Sequence, residues 1–192
     1  MRKRVRDPEG KRLSLLEAGM DLADRFGLAS VSVNDVAAEA GVGKGSFYVH
    51  FADRAAFLLE LHRGFHDELL AEVREQTAEM RPGRARLETA AAAFLDFSLA
   101  QRRVRPLLLD IRSEQQVADE VAARMQQITR TFEQDLRAQG WPDPAPAARL
   151  FMAMCTEVAV TELDRGRRDN TLRRTLLRYA TGEGVPAART RR

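Results

Sequence analysis

The sequence predicts an all-α protein of about nine helices. Apolar residues recur at intervals of three and four along most of its 192 residues, which is the spacing of amphipathic helices. Strand signals are scarce, and Val31-Ser32-Val33 is the clearest stretch with a period of two. Clusters of glycine and proline separate the helical stretches, and residues 140–146 form the clearest loop.

The first two predicted helices are bounded by residues that favour helix ends. The first covers about residues 13–25 and has one apolar face, and Gly27 is suited to its C-terminal stop. Ser32, followed three residues later by Asp35, predicts the start of the second helix. The hydroxyl accepts an amide of the first turn, and the carboxylate favours the positive end of the helix. This helix extends to Ala40.

Two further helices are predicted after Gly41, which ends the second one. A short helix covers about residues 44–50. Asp53 is the expected N-cap of a long fourth helix at about residues 54–80, whose apolar positions keep one stripe until Pro82-Gly83 interrupts it.

Helical spacing continues through the rest of the chain. From residue 181 onward the sequence has almost nothing apolar to bury, so we expect a frayed end there. The later helices are predicted at about residues 84–100, 104–111, 114–138, 146–164 and 170–180.

The second and third helices, joined by Gly41-Val42-Gly43, form a helix-turn-helix layout in which the third helix can enter a DNA major groove. From residue 15 to 61 the chain resembles the DNA-binding region of TetR-family repressors. The resemblance is carried by Leu15-Leu16-Glu17-Ala18, Gly27, Ser32-Val33-Asn34-Asp35-Val36-Ala37 and Ala40-Gly41-Val42-Gly43-Lys44-Gly45-Ser46-Phe47-Tyr48-Val49-His50-Phe51. It implies an N-terminal helix-turn-helix domain over residues 9–69, with its motif at 32–51, and a C-terminal helical ligand-binding and dimerisation domain over residues 70–192.

The third helix carries side chains suited to DNA. Lys44 and Ser46 lie in its first turn, where a cation and a hydroxyl reach base edges or phosphates, and Gly45 allows a close approach of the backbone. Tyr48 and His50 can each donate to a phosphate. The resemblance implies phosphate contacts for these two and for the cation that opens the fourth helix. The residues predicted to bind DNA are Ser32, Gly43, Lys44, Gly45, Ser46, Tyr48, His50 and Arg54.

Three positions depart from the pattern of the family. Gly43 stands where Ser or Thr is common, so a hydroxyl that would cap the third helix is missing. Val49 occupies a position where a polar or aromatic residue is frequent. Ala23 replaces a usual core Phe, for which we expect Phe26 to compensate in part. The motif remains, but the operator sequence becomes harder to predict.

Net charge contributes little to this interpretation. The chain carries a formal +3, and residues 165–192 alone hold nine basic and two acidic residues, far from the predicted DNA-binding motif. In the N-terminal arm, Arg4 and Arg6 can reach the duplex or its minor groove, and a solvated tail explains them equally well. The prediction of DNA binding therefore depends on residue order between Ser32 and Arg54.

The later helices carry more large apolar residues than a plain bundle needs, and the resemblance implies a pocket for a small effector. Candidate lining residues are Phe57, Leu61, Phe65, Phe94, Phe97, Met125, Ile128, Phe132, Met152 and Cys155. The resemblance also implies a homodimer through the last two helices, and two recognition helices related by a two-fold axis would recognise a palindromic operator. We hypothesise that the effector shifts the fourth helix and lowers operator affinity.

Other site chemistries find little support in the sequence. No apolar run reaches the length of a membrane span and no secretory signal is evident, so a cytoplasmic protein without a membrane partner is expected. Cys155 is the only cysteine and is expected to be a buried thiol, although redox sensing stays open. His62 and His66 have the spacing of metal ligands but lack a wider motif. No catalytic residues, metal or cofactor are predicted.

Two alternatives remain open at this stage. An architectural helix-turn-helix protein would bind DNA with little sequence preference. The other alternative is an all-helical ligand-binding protein or enzyme. For an enzyme, the sequence shows neither a nucleophile with its base nor a pair of carboxylates at a cleft. The glycine-rich stretch from Gly41 to Ser46 fails the spacing of a phosphate-binding loop.

Overall fold

The computed structural model describes residues 8–181, except residues 102, 104–106, 108–109, 114 and 116. The predicted arm contacts Arg4 and Arg6 and the expected frayed end after residue 181 lie outside this range. The predicted helix at 104–111 falls mostly outside it, and the described residues that follow, Asp110–Ser113, form a 3-10 turn.

All regular structure in the described part of the chain is helical, as predicted. Its elements are α1 (Pro8–Phe26), a 3-10 turn (Leu28–Ser30), α2 (Val33–Glu39), α3 (Lys44–His50), α4 (Arg54–Thr77), α5 (Arg84–Ala100), the 3-10 turn at Asp110–Ser113, α6 (Ala118–Ala138), α7 (Pro144–Arg165) and α8 (Asn170–Thr181).

The described residues divide into two compact units. Unit 1 contains the chain up to Glu68 together with Arg103–Arg124, and unit 2 contains Leu69–Arg102 together with the chain from Met125 onward. Unit 1 therefore includes a segment of the predicted C-terminal domain, and the predicted domain boundaries themselves stay a prediction.

The core of unit 1 lies where α1, α2, α3 and the start of α4 pack together. Phe47 of α3 is fully buried, and its ring centroid lies 5.3 Å from those of both Phe51 and Phe57. Gly19 of α1 makes room for this cluster, because a Cβ on it would stand 2.3 Å from the Cζ of Phe57. The close approach of α1 to α4 thus requires glycine at residue 19.

Unit 2 is built around α5, α7 and α8. Its apolar core contains Phe94 of α5, Phe132 of α6 and Phe151 of α7, and the rings of Phe132 and Phe151 meet edge to face at 5.0 Å between centroids. Cys155 of α7 is fully buried in the same core.

Two buried ion pairs also hold unit 2 together. Arg173 of α8 donates from Nε and Nη2 to the two oxygens of Glu162 on α7, at 2.7 and 2.5 Å, and from Nη1 to Asp96 of α5 at 2.5 Å. Asp135 of α6 accepts from the Nε of Arg86 at 2.6 Å and from the amide of Gly83 at 2.9 Å. The contacts of Arg173 with Asp96 and of Arg86 with Asp135 join helices that are distant in the sequence.

The observed helix ends differ from the predicted ones where the sequence has few apolar residues to mark the helix. α1 already includes Pro8, five residues before the predicted start, and the apolar pattern missed this stretch because residues 8–12 are mostly polar. Phe26 is 62% exposed, so the expectation that it compensates in the core for Ala23 is wrong. Its ring instead lies under the guanidinium of Arg25, 5.3 Å from the ring centroid.

Candidate nucleic-acid interface

The turn between α2 and α3 is set by Gly41, whose φ of 66° lies in the left-handed region that favours glycine. The amide of Gly41 donates to the carbonyl of Ala38 at 3.0 Å, and the amide of Val42 donates to that of Ala37 at 2.9 Å. This pair of hydrogen bonds is a Schellman motif, which satisfies the last carbonyls of α2 and turns the chain toward α3.

The start of α2 is capped as predicted. Ser32 has an extended backbone, and its Oγ accepts the amide of Asp35 at 3.2 Å. The hydroxyl in turn donates to a carboxylate oxygen of Asp35 at 2.5 Å. The Ser32 hydroxyl is therefore engaged within its own helix, and its side chain remains exposed to solvent beside the first turn.

α3 starts without a side-chain cap. Gly43 is its N-cap residue, with extended backbone, and no side chain accepts a hydrogen bond there, as the missing hydroxyl predicted. A Cβ on Gly43 or on Gly45 would meet no atom within 4 Å. Glycine at these two positions is not required by packing within the described part of the chain.

The side chains of α3 divide sharply between one buried position and an outward face. Phe47 is 0% exposed and anchors the helix. On the outward face, Tyr48 is 50% and Val49 is 78% exposed, and Lys44 and Gly45 are exposed as well. No Asp or Glu occurs between residues 40 and 52. This face therefore presents a cation and a phenol without a neighbouring carboxylate in its own segment.

Two residues fix the start of α4 next to this motif. Asp53 caps the helix, because its Oδ1 accepts the amide of Ala56 at 2.7 Å. Arg54 turns inward and donates from Nε to the carbonyl of Val31 and from Nη2 to that of Leu28, both at 2.7 Å. The sequence did not predict these two hydrogen bonds, through which Arg54 holds the segment before α2 against the start of α4.

The sequence of this motif matches a known family. A family model described as bacterial regulatory proteins, tetR family, matches residues 15–61, which span α1 to the first part of α4. Residues 15–61 therefore form a DNA-binding segment of the TetR-family type. The resemblance stated from the sequence is thereby confirmed.

Curated relatives match a stretch of similar extent. The HTH-type transcriptional repressor KstR2 of Rhodococcus jostii RHA1 is 38% identical over 79 residues, which are 41% of this chain and 39% of KstR2. The chain thus spans about two fifths of the length of this curated relative.

Solved structures share the fold along most of the chain. FadR of Bacillus halodurans, a fatty acid degradation regulator, superposes with a TM-score of 0.76 at 16% identity, over 94% of this chain and 97% of FadR. FadR of Bacillus subtilis, solved in complex with stearoyl-CoA, has a TM-score of 0.73 at 14% identity, over 89% of this chain and 98% of FadR.

The residues predicted to line an effector pocket belong to both units, and most are buried. In unit 1, Phe57 packs edge to face on Phe51 at 5.0 Å, so it contributes to the aromatic core beneath α3. Phe97 and Met125 are half-buried. The other predicted lining residues are buried: Leu61, Phe65, Phe94, Ile128, Phe132, Met152 and Cys155. The pocket stays a prediction.

The reactive groups considered in the sequence occupy buried positions. Burial raises the pKa of the Cys155 thiol, which keeps it protonated and unreactive in the folded state. His62 and His66 are buried on α4 with their ring centroids 4.2 Å apart. Within the described residues, no group of three or more His, Cys, Asp or Glu is placed to hold a metal ion.

The last two helices expose apolar residues on the sides that do not pack within unit 2. Leu150 of α7 is 67% exposed and Tyr179 of α8 is 61% exposed. These are large apolar groups on helices whose other faces are buried. Over the described range, no helix combines the length and the apolar character that crossing a membrane requires.

Proposed function

We propose that this TetR-family protein is a transcriptional repressor that binds a palindromic DNA operator as a homodimer and is released by a small, largely apolar effector. The observation that carries the proposal is the outward face of α3. A seven-residue helix that buries only Phe47 contributes little to the core, yet three ordered features hold it in place: the turn at Gly41, the aromatic cluster and the Arg54 hydrogen bonds.

Several side chains of this face have the chemistry of DNA contacts. The ammonium of Lys44 and the phenol of Tyr48 can donate to phosphates, and the exposed Gly45 lets the helix backbone approach the base edges. Ser46 and His50 are half-buried at the edges of the face and serve as further donors. Ser32 and Gly43 contribute exposed backbone at the starts of α2 and α3, and the proposed arm contacts Arg4 and Arg6 add cations.

Arg54 has a different part in this proposal. Its Nε and Nη2 already donate to backbone carbonyls, so its main contribution is to hold the segment before α2, and through it Ser32, against α4. Any phosphate contact by this side chain is secondary to that positioning role.

Recognition of a palindromic operator, as proposed, requires a homodimer. One short helix touches few base pairs, whereas two related by a two-fold axis select a longer site. The exposed Leu150 and Tyr179 support α7 and α8 as the dimer contact, because pairing with a second copy would remove both from water.

The proposed effector is apolar because most of the predicted lining residues are apolar or aromatic. That FadR of Bacillus subtilis, which shares the fold, was solved with stearoyl-CoA supports this class of ligand. Release requires the effector to bind the low-affinity conformation more tightly than the DNA-bound one, since equal affinities shift no equilibrium.

Selection from a random duplex pool, followed by fluorescence anisotropy at several salt concentrations, tests DNA binding. We expect the selection to enrich a palindrome. Lys44→Ala should bind this palindrome about tenfold more weakly. The slope of its affinity against salt concentration should fall by the equivalent of about one phosphate contact per subunit. Arg130→Ala is the control, because Arg130 is an exposed cation on α6 in unit 2 and its loss changes net charge equally.

The outcomes separate the candidate functions. Equal loss of affinity in both variants would refute the assignment of α3 as the DNA contact. Binding without an enriched sequence would favour an architectural protein, and absence of binding would refute DNA recognition altogether.

A further inference from the structure

Val49 stands at the centre of the outward face of α3. It is 78% exposed, the most exposed of the large apolar side chains in the described part of the chain. It follows the buried Phe47 by two residues, a rotation of about 200° around a helix, so the two side chains point in nearly opposite directions. Gly45 precedes Val49 by one turn and lies on the same side.

Among the residues that the structure describes, the surroundings of Val49 offer it no packing role. Gly45 has no side chain, and a Cβ there would meet nothing within 4 Å. Lys44 and Tyr48 place a cation and a phenol along one side of this apolar strip. A valine neither donates nor accepts a hydrogen bond, so it gains nothing from phosphates, which the flanking side chains can bind.

The chemistry of a DNA major groove gives this side chain one natural partner. Among the groups that the four bases present there, the 5-methyl group of thymine is the one apolar substituent, beside hydrogen-bond donors and acceptors. We propose that Val49 is a specificity-determining residue that contacts a thymine 5-methyl group in each half-site. The inference rests on the proposed function and goes further, because it assigns one base and one atom of that base to one side chain.

Deoxyuridine tests this contact, since it differs from thymidine only by the missing methyl group. Each thymine of the enriched operator is replaced by uracil, one symmetric pair at a time, and affinity is measured by anisotropy. We expect one pair to weaken wild-type binding by roughly fifteenfold, because each of the two lost methyl contacts contributes about a fourfold change. The other pairs should change affinity less than about twofold.

Three variants assign that effect to Val49. Val49→Ala should bind the thymine operator more weakly and lose its sensitivity to uracil at the same pair. Val49→Ile keeps a branched apolar side chain and should retain the sensitivity. Tyr48→Phe removes a proposed phosphate donor, so it should weaken binding to both operators equally. Because Val49 is exposed, circular dichroism of Val49→Ala should match that of the wild type.

Failure of this inference differs from failure of the proposed function. An enriched operator whose uracil sensitivity is unchanged in Val49→Ala, or which shows no sensitivity at any pair, overturns the thymine contact and leaves the repressor proposal intact. If no duplex is bound at all, both fail together.

Discussion

The α3 segment of unit 1 and the α7–α8 pair of unit 2 use polar residues in opposite ways. Around α3 the anchor is aromatic, and the polar side chains face solvent. In α8 the charged Arg173 is only 6% exposed, and its partner Glu162 on α7 is 0% exposed. The comparison shows that the α3 segment leaves polar side chains at its surface, whereas unit 2 uses buried charges to hold its helices together.

The strongest test of this comparison is to remove the buried cation. Burial lowers the pKa of Arg173, but Glu162 and Asp96 raise it more, so the guanidinium stays charged. Arg173→Met leaves Glu162 buried without its cation, and we expect the free energy of unfolding to fall by about 3–5 kcal/mol in urea titrations.

The neighbouring Arg174 supplies the matched control. It is exposed on the same helix, so Arg174→Met should change stability by less than about 0.5 kcal/mol. The double variant Arg173→Met with Glu162→Met should recover much of the loss, because it no longer buries an unpaired charge. A loss below about 1 kcal/mol in the single variant would contradict the role given to this ion pair.

A smaller effect is expected from the aromatic packing of unit 1. In Gly19→Ala the new methyl group collides with the ring of Phe57, which is 1% exposed. We expect the free energy of unfolding, measured by urea titration, to fall by about 1–3 kcal/mol. A Cβ at Gly64 on α4 would meet no atom within 4 Å. Gly64→Ala should therefore raise the free energy of unfolding by up to about 1 kcal/mol, because alanine has the higher helix propensity. Equal gains in both variants would show that the ring moves aside freely.

The third test concerns pH and returns to unit 2. Burial raises the pKa of Asp135, although hydrogen bonds from Gly83 and Arg86 oppose this shift. Folding therefore favours the protonated carboxyl. Its stabilising contribution is complete below the unfolded pKa of about 3.9 and is lost as pH rises through the higher folded pKa.

Asp135→Asn isolates this contribution because it cannot titrate. The free energy of unfolding of the wild type minus that of Asp135→Asn should be largest below about pH 4 and decrease toward neutral pH. Glu79→Gln, which removes the charge of an exposed carboxylate in the same unit, is the control for the loss of one negative charge. A difference that rises with pH would show that the hydrogen bonds outweigh burial.

The parts of unit 1 that the sequence predicted are those specified by neighbours in the chain. Ser32 with Asp35, Gly41 in the turn, and Asp53 before α4 each act on amides or carbonyls within a few residues. The helical bounds of α3 match the prediction for the same reason. The outward position of Val49 follows from its distance of two residues from Phe47, a signal that the sequence already contained.

The contacts that were missed depend on residues brought together only by folding. Arg54 bonds to carbonyls 23 and 26 residues away, and Asp135 bonds to Arg86 49 residues away. Helical spacing also treats every apolar residue as a core candidate, and Phe26 fails that assumption because it lies at the last residue of α1.

The single cysteine gives unit 2 an internal reporter of its own opening. Cys155 is 0% exposed, so a thiol reagent reaches it only when the surrounding helices separate. The rate at which the reagent modifies Cys155, measured at increasing reagent concentration, therefore reports local opening. No cysteine needs to be introduced for this measurement. Comparing that rate with and without a candidate effector would detect an effector that changes this opening, independently of DNA.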